Sequence, residues 1–152
     1  GLPLPEHVLA VYPVAQTELD TDSYLEHAVS VPLNRPMMRW FFRHVTRSAQ
    51  DELDPRLRLV DADLEGLPPV TIISAHIDPL RSDGVKLEDA LHAAGVDVER
   101  RDFDGVVHEF FGMGAVVAKA REAMEYAGER LRATRAGATS APTAQELAGR
   151  LQ

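Results

Sequence analysis

Three short runs with strand character, 7–12, 70–75 and 96–103, are separated by longer stretches of helical or irregular character. The run 7–12 is apolar and closed by Pro13, which predicts an interior strand buried on both faces. The run 96–103 alternates enough to indicate a half-exposed strand at a sheet edge, and Gly105 marks its end. Strands joined by crossover segments predict a parallel α/β sheet with right-handed connections. Three strands are few for such a sheet, so the pattern resembles one side of a larger doubly wound one.

Helical spacing of apolar residues predicts three main helices. Pro36 can open the first, and its aromatic-rich face recurs at i, i+3, i+4, i+7 and i+8. The members of that face are Met37, Trp40, Phe41, His44 and Val45. The second helix follows the strand 70–75 and has a face that ends at a capping Gly95. Its members are Leu87, Ala90, Leu91 and Ala94.

The last predicted helix runs from about residue 114 to 131, with an apolar stripe spaced by threes and fours. The stripe consists of Val117, Ala120, Met124, Ala127 and Leu131. The segment 48–69 is polar and interrupted by prolines, which predicts irregular structure. Residues 133–143 are rich in Ala, Gly, Thr and Ser, which indicates a flexible linker before a final helical turn or two. We therefore divide the chain into a folded part, 1–132, and a tail, 133–152.

Composition narrows the classes of function. The 152 residues, 45% hydrophobic and 26% charged, are typical of one soluble domain. A formal net charge of -8 disfavours nucleic acid or an anionic membrane surface as the partner. The lack of cysteine excludes disulfides and thiolate metal sites, and it is consistent with a cytoplasmic protein. No run approaches the ~20 apolar residues of a membrane span. The histidine spacing contains neither H-x-x-x-H nor H-E-x-x-H, so we expect no metal site.

Two polar residues follow the carboxyl ends of neighbouring predicted strands, where functional groups of open parallel sheets gather. Asp78 comes shortly after the strand 70–75, and His108 lies in the loop after the strand 96–103. A carboxylate that accepts the N–H of an imidazole fixes the tautomer and leaves the other nitrogen free to act as a base. Each residue also has a structural explanation, because an Asp before Pro often begins a turn and His108 could be a satisfied loop histidine.

The sequences around both residues resemble the hormone-sensitive-lipase-like branch of the α/β-hydrolases, which includes bacterial acetyl-esterases and carboxylesterases. The resemblance rests on Leu67-Pro68-Pro69, Asp78-Pro79-Leu80-Arg81, Ala93-Ala94-Gly95-Val96, and Gly105 to His108-Glu109-Phe110, and it extends back through Tyr12-Pro13-Val14. It covers roughly the first 125 residues. It implies the carboxyl-terminal part of an α/β-hydrolase fold, with three mostly parallel strands and flanking helices.

The same resemblance implies that Asp78 orients His108 as the acid and base members of a catalytic triad, without a cofactor. Glu109 stands where many members of the family have Gly. In relatives, the material between the first two of these strands borders the acyl pocket, which makes Trp40 and Phe41 candidates for substrate contact. Packing in the core or at an interface is the other explanation for these two aromatic residues.

The nucleophile of the family is absent from this sequence. The family places its serine in a G-x-S-x-G elbow, with an HGGG-type oxyanion loop before it, and both precede the strand that corresponds to 7–12. None of the serines here lies between two such glycines; they are Ser23, Ser30, Ser48, Ser74, Ser82 and Ser140. Residue 1 is also Gly rather than Met. We therefore expect the chain to be a piece of a longer polypeptide.

Two functions remain open. In the first, the full protein is a carboxylic ester hydrolase of the Ser-Asp-His type, and this chain is inactive without the missing amino-terminal portion that carries the serine. In the second, the chain is a non-enzymatic pseudo-hydrolase fragment that acts as a binding or dimerisation module. Pairing of two copies through the edge strand 96–103 would form such a homodimer.

Overall fold

The computed structural model describes residues 5–140, with side chains described up to residue 137. Three strands form one parallel sheet in the order β1-β2-β3. Their bounds are Val8–Val11 for β1, Val70–Ile77 for β2 and Val98–Val107 for β3. The parallel α/β sheet with flanking helices that the sequence predicts is thereby confirmed.

Four α-helices accompany the sheet within the described part of the chain: α1 (Asp22–Glu26), α2 (Arg35–Val45), α3 (Arg81–Ala93) and α4 (Ala118–Ser140). Three short 3₁₀ helices lie at Asp51–Leu53, Leu59–Asp61 and Phe110–Met113. Two of them interrupt the segment 48–69, which otherwise has the irregular structure expected from its prolines.

The central strand is β2, and it is buried on both faces. Val70 and Ile72 point toward α3, where they pack with Leu87 and Leu91. Ile73, the next residue along the strand, points to the opposite face, which α4 covers. Because side chains alternate across a strand, this run of β-branched residues fills two cores at once.

The edges of the sheet differ in part from the prediction. β3 lies at one edge, as its alternating sequence indicates, but it continues past Gly105 to Val107. β1 lies at the other edge of the sheet within residues 5–140, where it pairs with β2 alone and its residues are only half-buried. The interior position predicted for β1 is therefore not observed in this chain.

Helix α2 begins where the sequence indicates, and its buried residues lie outside the aromatic-rich face. Asn34 caps the helix by accepting a hydrogen bond from the Met37 backbone N–H at 3.0 Å. Met38 and Phe42 are the buried pair, and they pack in a third cluster with Tyr24, Leu33 and Leu80. The aromatic-rich face is exposed: Met37, Trp40, Phe41 and Val45 are between 40% and 62% exposed. Residue spacing identifies an apolar face, but it does not reveal which face has a neighbour.

Helix α4 also departs from its predicted bounds. It begins at Ala118 and runs to Ser140, past the boundary expected at residue 132 and through much of the expected linker. Alanine has the highest helix propensity, which explains why an Ala-rich segment continues a helix. Ala120, Ala123 and Ala127 are its buried side chains nearest the sheet, whereas Met124 and Leu131 of the predicted stripe are about 40% exposed. The helical turns predicted after residue 143 lie outside the described residues.

No helix within residues 5–140 combines the length and the hydropathy required to cross a bilayer.

Candidate active site

An irregularity in the pairing of β2 with β3 determines how far along the sheet the two candidate residues, Asp78 and His108, lie. Ala75 pairs with Phe103, a numerical offset of 28, but Ile77 pairs with Val107, an offset of 30. β3 therefore carries two extra residues before both strands end. Gly105 lies within this bulge and has φ +73°, a left-handed conformation that glycine adopts without steric cost. The bulge brings Asp78 and His108 level with each other, one residue beyond the last paired residues.

The Asp78 carboxylate and the His108 imidazole are in contact. His108 Nδ1 lies 2.7 Å from Asp78 Oδ2, and the Asp78 side chain is 1% exposed. Asp78 Oδ1 accepts a hydrogen bond from the Leu80 backbone N–H at 2.9 Å. The carboxylate thus begins the turn into α3 with one oxygen and holds the imidazole with the other. Asp78 therefore makes the turn contact and the imidazole contact at the same time.

Tyr12 forms one wall around His108. Its ring centroid lies 4.5 Å from that of His108, with an angle of 51° between the planes. Tyr12 follows the last residue of β1, and its backbone N–H donates to the Ile73 carbonyl at 2.7 Å. Burial raises the pKa of Tyr12, and the nearby Glu109 carboxylate raises it further. The phenol therefore presents a neutral, aromatic surface to the imidazole.

Glu109 is the second charged neighbour of the imidazole. Its Oε1 lies 3.6 Å from His108 Nε2, the nitrogen that Asp78 does not contact, and its side chain is 63% exposed. Glu109 has φ +71°, a left-handed conformation that costs a residue with a side chain about 1–2 kcal/mol. This backbone turn returns the Glu109 side chain to the ring of the preceding residue. The sequence signal was the Glu in place of Gly, but its position against Nε2 was not anticipated.

A cavity of about 380 Å³ opens beside His108. It is lined by Tyr12, Val14, Leu33, Met38, Phe41, Phe42, Val45, Leu57, Leu80, His108 and Glu109. Phe41 therefore borders the cavity, as expected for a residue that contacts a substrate. Trp40 is not among the lining residues; its ring packs against Phe41 and His44, with centroids 5.2 Å and 4.1 Å away. The structure brings one of the two aromatic candidates to the site and leaves the other beside it.

The loop after β1 is tied to α3 by a buried carboxylate that sequence analysis missed. Asp83 accepts hydrogen bonds from the Ala15 backbone N–H and from Gln16 Nε2, both at 3.0 Å. Burial raises the pKa of Asp83 to about 6, although both hydrogen bonds favour the ionised form. These bonds hold the residues that follow Tyr12 against the start of α3, and so position the wall of the site.

The described residues supply a base but no nucleophile. Within residues 5–140, no serine hydroxyl donates a hydrogen bond to His108. The same range holds no group of three or more His, Asp or Glu residues placed to bind a metal. The arrangement is that of a carboxylate-oriented imidazole beside an apolar cavity, which can accept and return a proton.

Comparison with known proteins agrees with this architecture. A family model described as the alpha/beta hydrolase fold matches residues 1–112. The chain is 35% identical over 116 residues to the carboxylesterase NlhH of Mycobacterium tuberculosis, covering 74% of this chain and 36% of that protein. It is 35% identical over 72 residues to human hormone-sensitive lipase, covering 47% of this chain and 7% of the lipase.

A solved structure of an esterase from Pyrobaculum calidifontis superimposes with a TM-score of 0.80 at 28% sequence identity, covering 86% of this chain and 43% of that one. The chain thus spans less than half the length of this esterase, and about a third of NlhH. Over that span, its sheet, its helices and its sequence are those of a known group of hydrolases. The chain belongs to the α/β-hydrolase family, in the hormone-sensitive-lipase-like branch.

Proposed function

We propose that this chain supplies Asp78 and His108 to a carboxylic ester hydrolase of the Ser-Asp-His type. The observation that carries the proposal is the 2.7 Å contact between His108 Nδ1 and Asp78 Oδ2, with the imidazole bordering an apolar cavity. An imidazole held in this way donates its Nδ1–H to the carboxylate and keeps Nε2 as the basic nitrogen. The relationship to carboxylesterases supports the same chemistry.

In the proposed reaction, a serine Oγ attacks the carbonyl carbon of the ester while His108 Nε2 takes the serine proton. The tetrahedral intermediate collapses, the bond to the alcohol oxygen breaks, and His108 returns the proton to that oxygen. Water then attacks the acyl-serine while His108 takes a proton from it. The bond between the acyl carbon and Oγ breaks, and His108 gives the proton to Oγ, which releases the acid and the free serine. Asp78 stabilises the imidazolium in both halves without itself taking the proton.

The serine and the oxyanion donors belong, in this proposal, to an amino-terminal portion of the same fold. Two surfaces of the described residues suit such a neighbour: the unpaired hydrogen-bonding edge of β1 and the exposed apolar face of α2, formed by Met37, Trp40, Phe41 and Val45. A strand edge and an apolar helix face of this kind are usually covered. By itself the chain is then inactive, because a base without a nucleophile has nothing to activate.

The proposed substrates are esters with short to medium acyl chains. The cavity of about 380 Å³ beside His108 is lined mainly by aliphatic and aromatic side chains, which suits an apolar group of a few carbons. Phe41 is the aromatic residue of α2 that would contact it. The proposed compartment is the cytoplasm, which a sequence without cysteine suits; cell fractionation would test it.

The decisive experiment joins this chain to a polypeptide that contains the serine elbow and measures hydrolysis of p-nitrophenyl butyrate. We expect no turnover from the chain alone, turnover from the joined protein, and a loss of about 10³-fold or more after His108→Ala. His92→Ala is the matched control, because His92 lies exposed in the last turn of α3. Folded joined protein without hydrolysis, or activity that survives His108→Ala, would refute the proposal.

A second function, a dimerisation module without catalysis, is favoured by one observation. β3 pairs with β2 on one side, and its other side is open within the described residues. Two copies could pair there into a continuous sheet. Sedimentation of the chain across micromolar concentrations tests this directly: a dimer supports the module, and a monomer throughout contradicts it.

A further inference from the structure

The cavity beside His108 is lined by aromatic rings and one carboxylate, and no Lys or Arg is among its described lining residues. Tyr12, Phe41 and Phe42 contribute three aromatic rings to its lining. Glu109 is the one carboxylic-acid residue among the eleven lining residues described, and that set contains neither Lys nor Arg. The faces of aromatic rings carry partial negative charge, so they attract cations that have an apolar shell.

The charges around the imidazole reinforce this preference. Asp78 and Glu109 lie against opposite ring nitrogens of His108, at 2.7 Å and 3.6 Å. Even when the imidazole carries a proton, two carboxylates and one imidazolium leave a net negative charge beside the cavity. Tyr12 lines the same cavity, and its pKa is raised by burial and, secondly, by the Glu109 carboxylate.

We infer that the site prefers esters that carry a cationic group with an apolar shell, such as a quaternary ammonium, over neutral esters of the same shape. The inference rests on the proposed function and deepens it by adding charge to the substrate class. Glu109 is the residue that determines this specificity, because it lines the cavity and its side chain is 63% exposed. Neutral esters still fit the apolar walls, and esters with an anionic group meet repulsion from two carboxylates.

The size of the effect follows from the exposure of Glu109. Exposed ion pairs and cation–aromatic contacts are individually weak, so their sum predicts binding about three- to tenfold tighter for the cation than for its neutral analogue. The preference should shrink in 1 M salt, where the Debye length falls to about 3 Å and an exposed carboxylate is screened.

The first test uses this chain and needs no turnover. Choline and 3,3-dimethylbutan-1-ol are nearly identical in shape and differ in charge, and NMR titration follows the signals of Tyr12, Phe41 and His108. We expect saturable shifts of these residues with tighter binding of choline, and a preference reduced threefold or more in Glu109→Gln. Glu109→Asp, which keeps the charge, should retain most of it.

Glu65→Gln is the matched control, because it removes one equal charge from an exposed residue that precedes the amino end of β2, at the opposite end of the sheet. The control should leave the preference unchanged. Equal affinity for both probes, shifts located away from the cavity, no saturable shift with either probe, or a preference unaffected by Glu109→Gln would each overturn the inference.

A second test uses the joined protein and compares kcat/KM for butyrylcholine with that for 3,3-dimethylbutyl butyrate. The ratio of kcat/KM for butyrylcholine to that for the neutral ester should exceed one and should fall about threefold in Glu109→Gln. A ratio that is unchanged by the substitution would overturn the inference. Failure to hydrolyse either ester would count against the proposed function. The preference for a cation would then be decided by the binding comparison of choline with 3,3-dimethylbutan-1-ol.

Discussion

His108 lies directly across from Asp78 because β3 gains two residues on β2 immediately before both strands end. Without that gain, the offset of 28 between Ala75 and Phe103 would continue, and Asp78 would face Val106 instead. The resulting contact of 2.7 Å joins the end of a central strand to the loop after an edge strand. The local irregularity of the sheet is therefore what assembles the pair.

The two roles of Asp78 can be separated by substitution. Asp78→Asn keeps an oxygen to accept the Leu80 N–H but no longer stabilises the imidazolium, so the fold should persist while kcat of the joined enzyme falls about 10³- to 10⁴-fold. Asp78→Ala should also remove the turn and lower the free energy of unfolding by about 1–3 kcal/mol more. Urea unfolding measures the effect on stability, and ester hydrolysis measures the effect on activity. Equal stability of the two variants would show that the hydrogen bond from Leu80 to Asp78 does not stabilise the turn.

Gly105 should be sensitive to substitution for conformational reasons alone. A Cβ at this position meets no atom within 4 Å, but φ is +73°. Gly105→Ala should therefore lower the free energy of unfolding by about 1 kcal/mol, and Gly105→Asn by less, because Asn tolerates the left-handed region. Thermal unfolding of the two variants measures this order, and the reverse order would contradict the explanation.

The close approach of α3 to β2 predicts a rescue. A Cβ on Gly84 would lie 2.7 Å from Ser74 Oγ, so Gly84→Ala should destabilise the protein by about 1–3 kcal/mol despite the better helix propensity of alanine. Ser74 Oγ is buried and has no hydrogen-bond partner among the described residues, so Ser74→Ala should be nearly neutral. The double variant should recover the stability lost; strictly additive effects in the double-mutant cycle would rule out the contact.

Asp83 should make stability depend on pH in an unusual direction. Its native pKa of about 6 lies above the ordinary value of 3.8, so the native state holds the proton more tightly than the unfolded state. The stability contributed by this group is full below about pH 4 and is lost as pH rises to about 6, by roughly 3 kcal/mol. Asp83→Asn cannot titrate. The unfolding free energy of the parent, measured relative to that of the variant, should therefore fall as pH rises over this range. A difference that does not depend on pH would refute the raised pKa.

Adjacent phenylalanines of α2 should have opposite importance for stability and for activity. Phe42 is 7% exposed in a core cluster, so Phe42→Ala should lower the free energy of unfolding by about 3–5 kcal/mol. Phe41 is 42% exposed and borders the cavity, so Phe41→Ala should cost less than about 1 kcal/mol of stability while raising KM of the joined enzyme for apolar esters. A comparable loss of stability in both variants would show that the buried face of α2 has been misassigned.

Local sequence was sufficient for the fold class and for the two polar residues at the strand ends. Hydrophobic periodicity reflects which side of a single helix or strand is buried. It could therefore be read locally from the β-branched run 70–75, from the face of Leu87 and Leu91, and from the alternation of 96–103. The Asp-Pro-Leu turn and the His-Glu-Phe loop could be recognised because both resemble segments of a known family.

Tertiary structure decided everything that depends on a neighbour distant in the sequence. Two of these features join residues that lie far apart in the chain: the bulge that aligns Asp78 with His108, and the hydrogen bond from Ala15 to Asp83. The third, the position of Glu109 against His108 Nε2, depends on a backbone turn that no local sequence pattern predicts. The spacing of apolar residues in α2 did not identify the buried pair, Met38 and Phe42, for the same reason. Amphipathic spacing shows that a helix has an apolar side, but only the packing partners determine whether Phe41 or Phe42 enters the core.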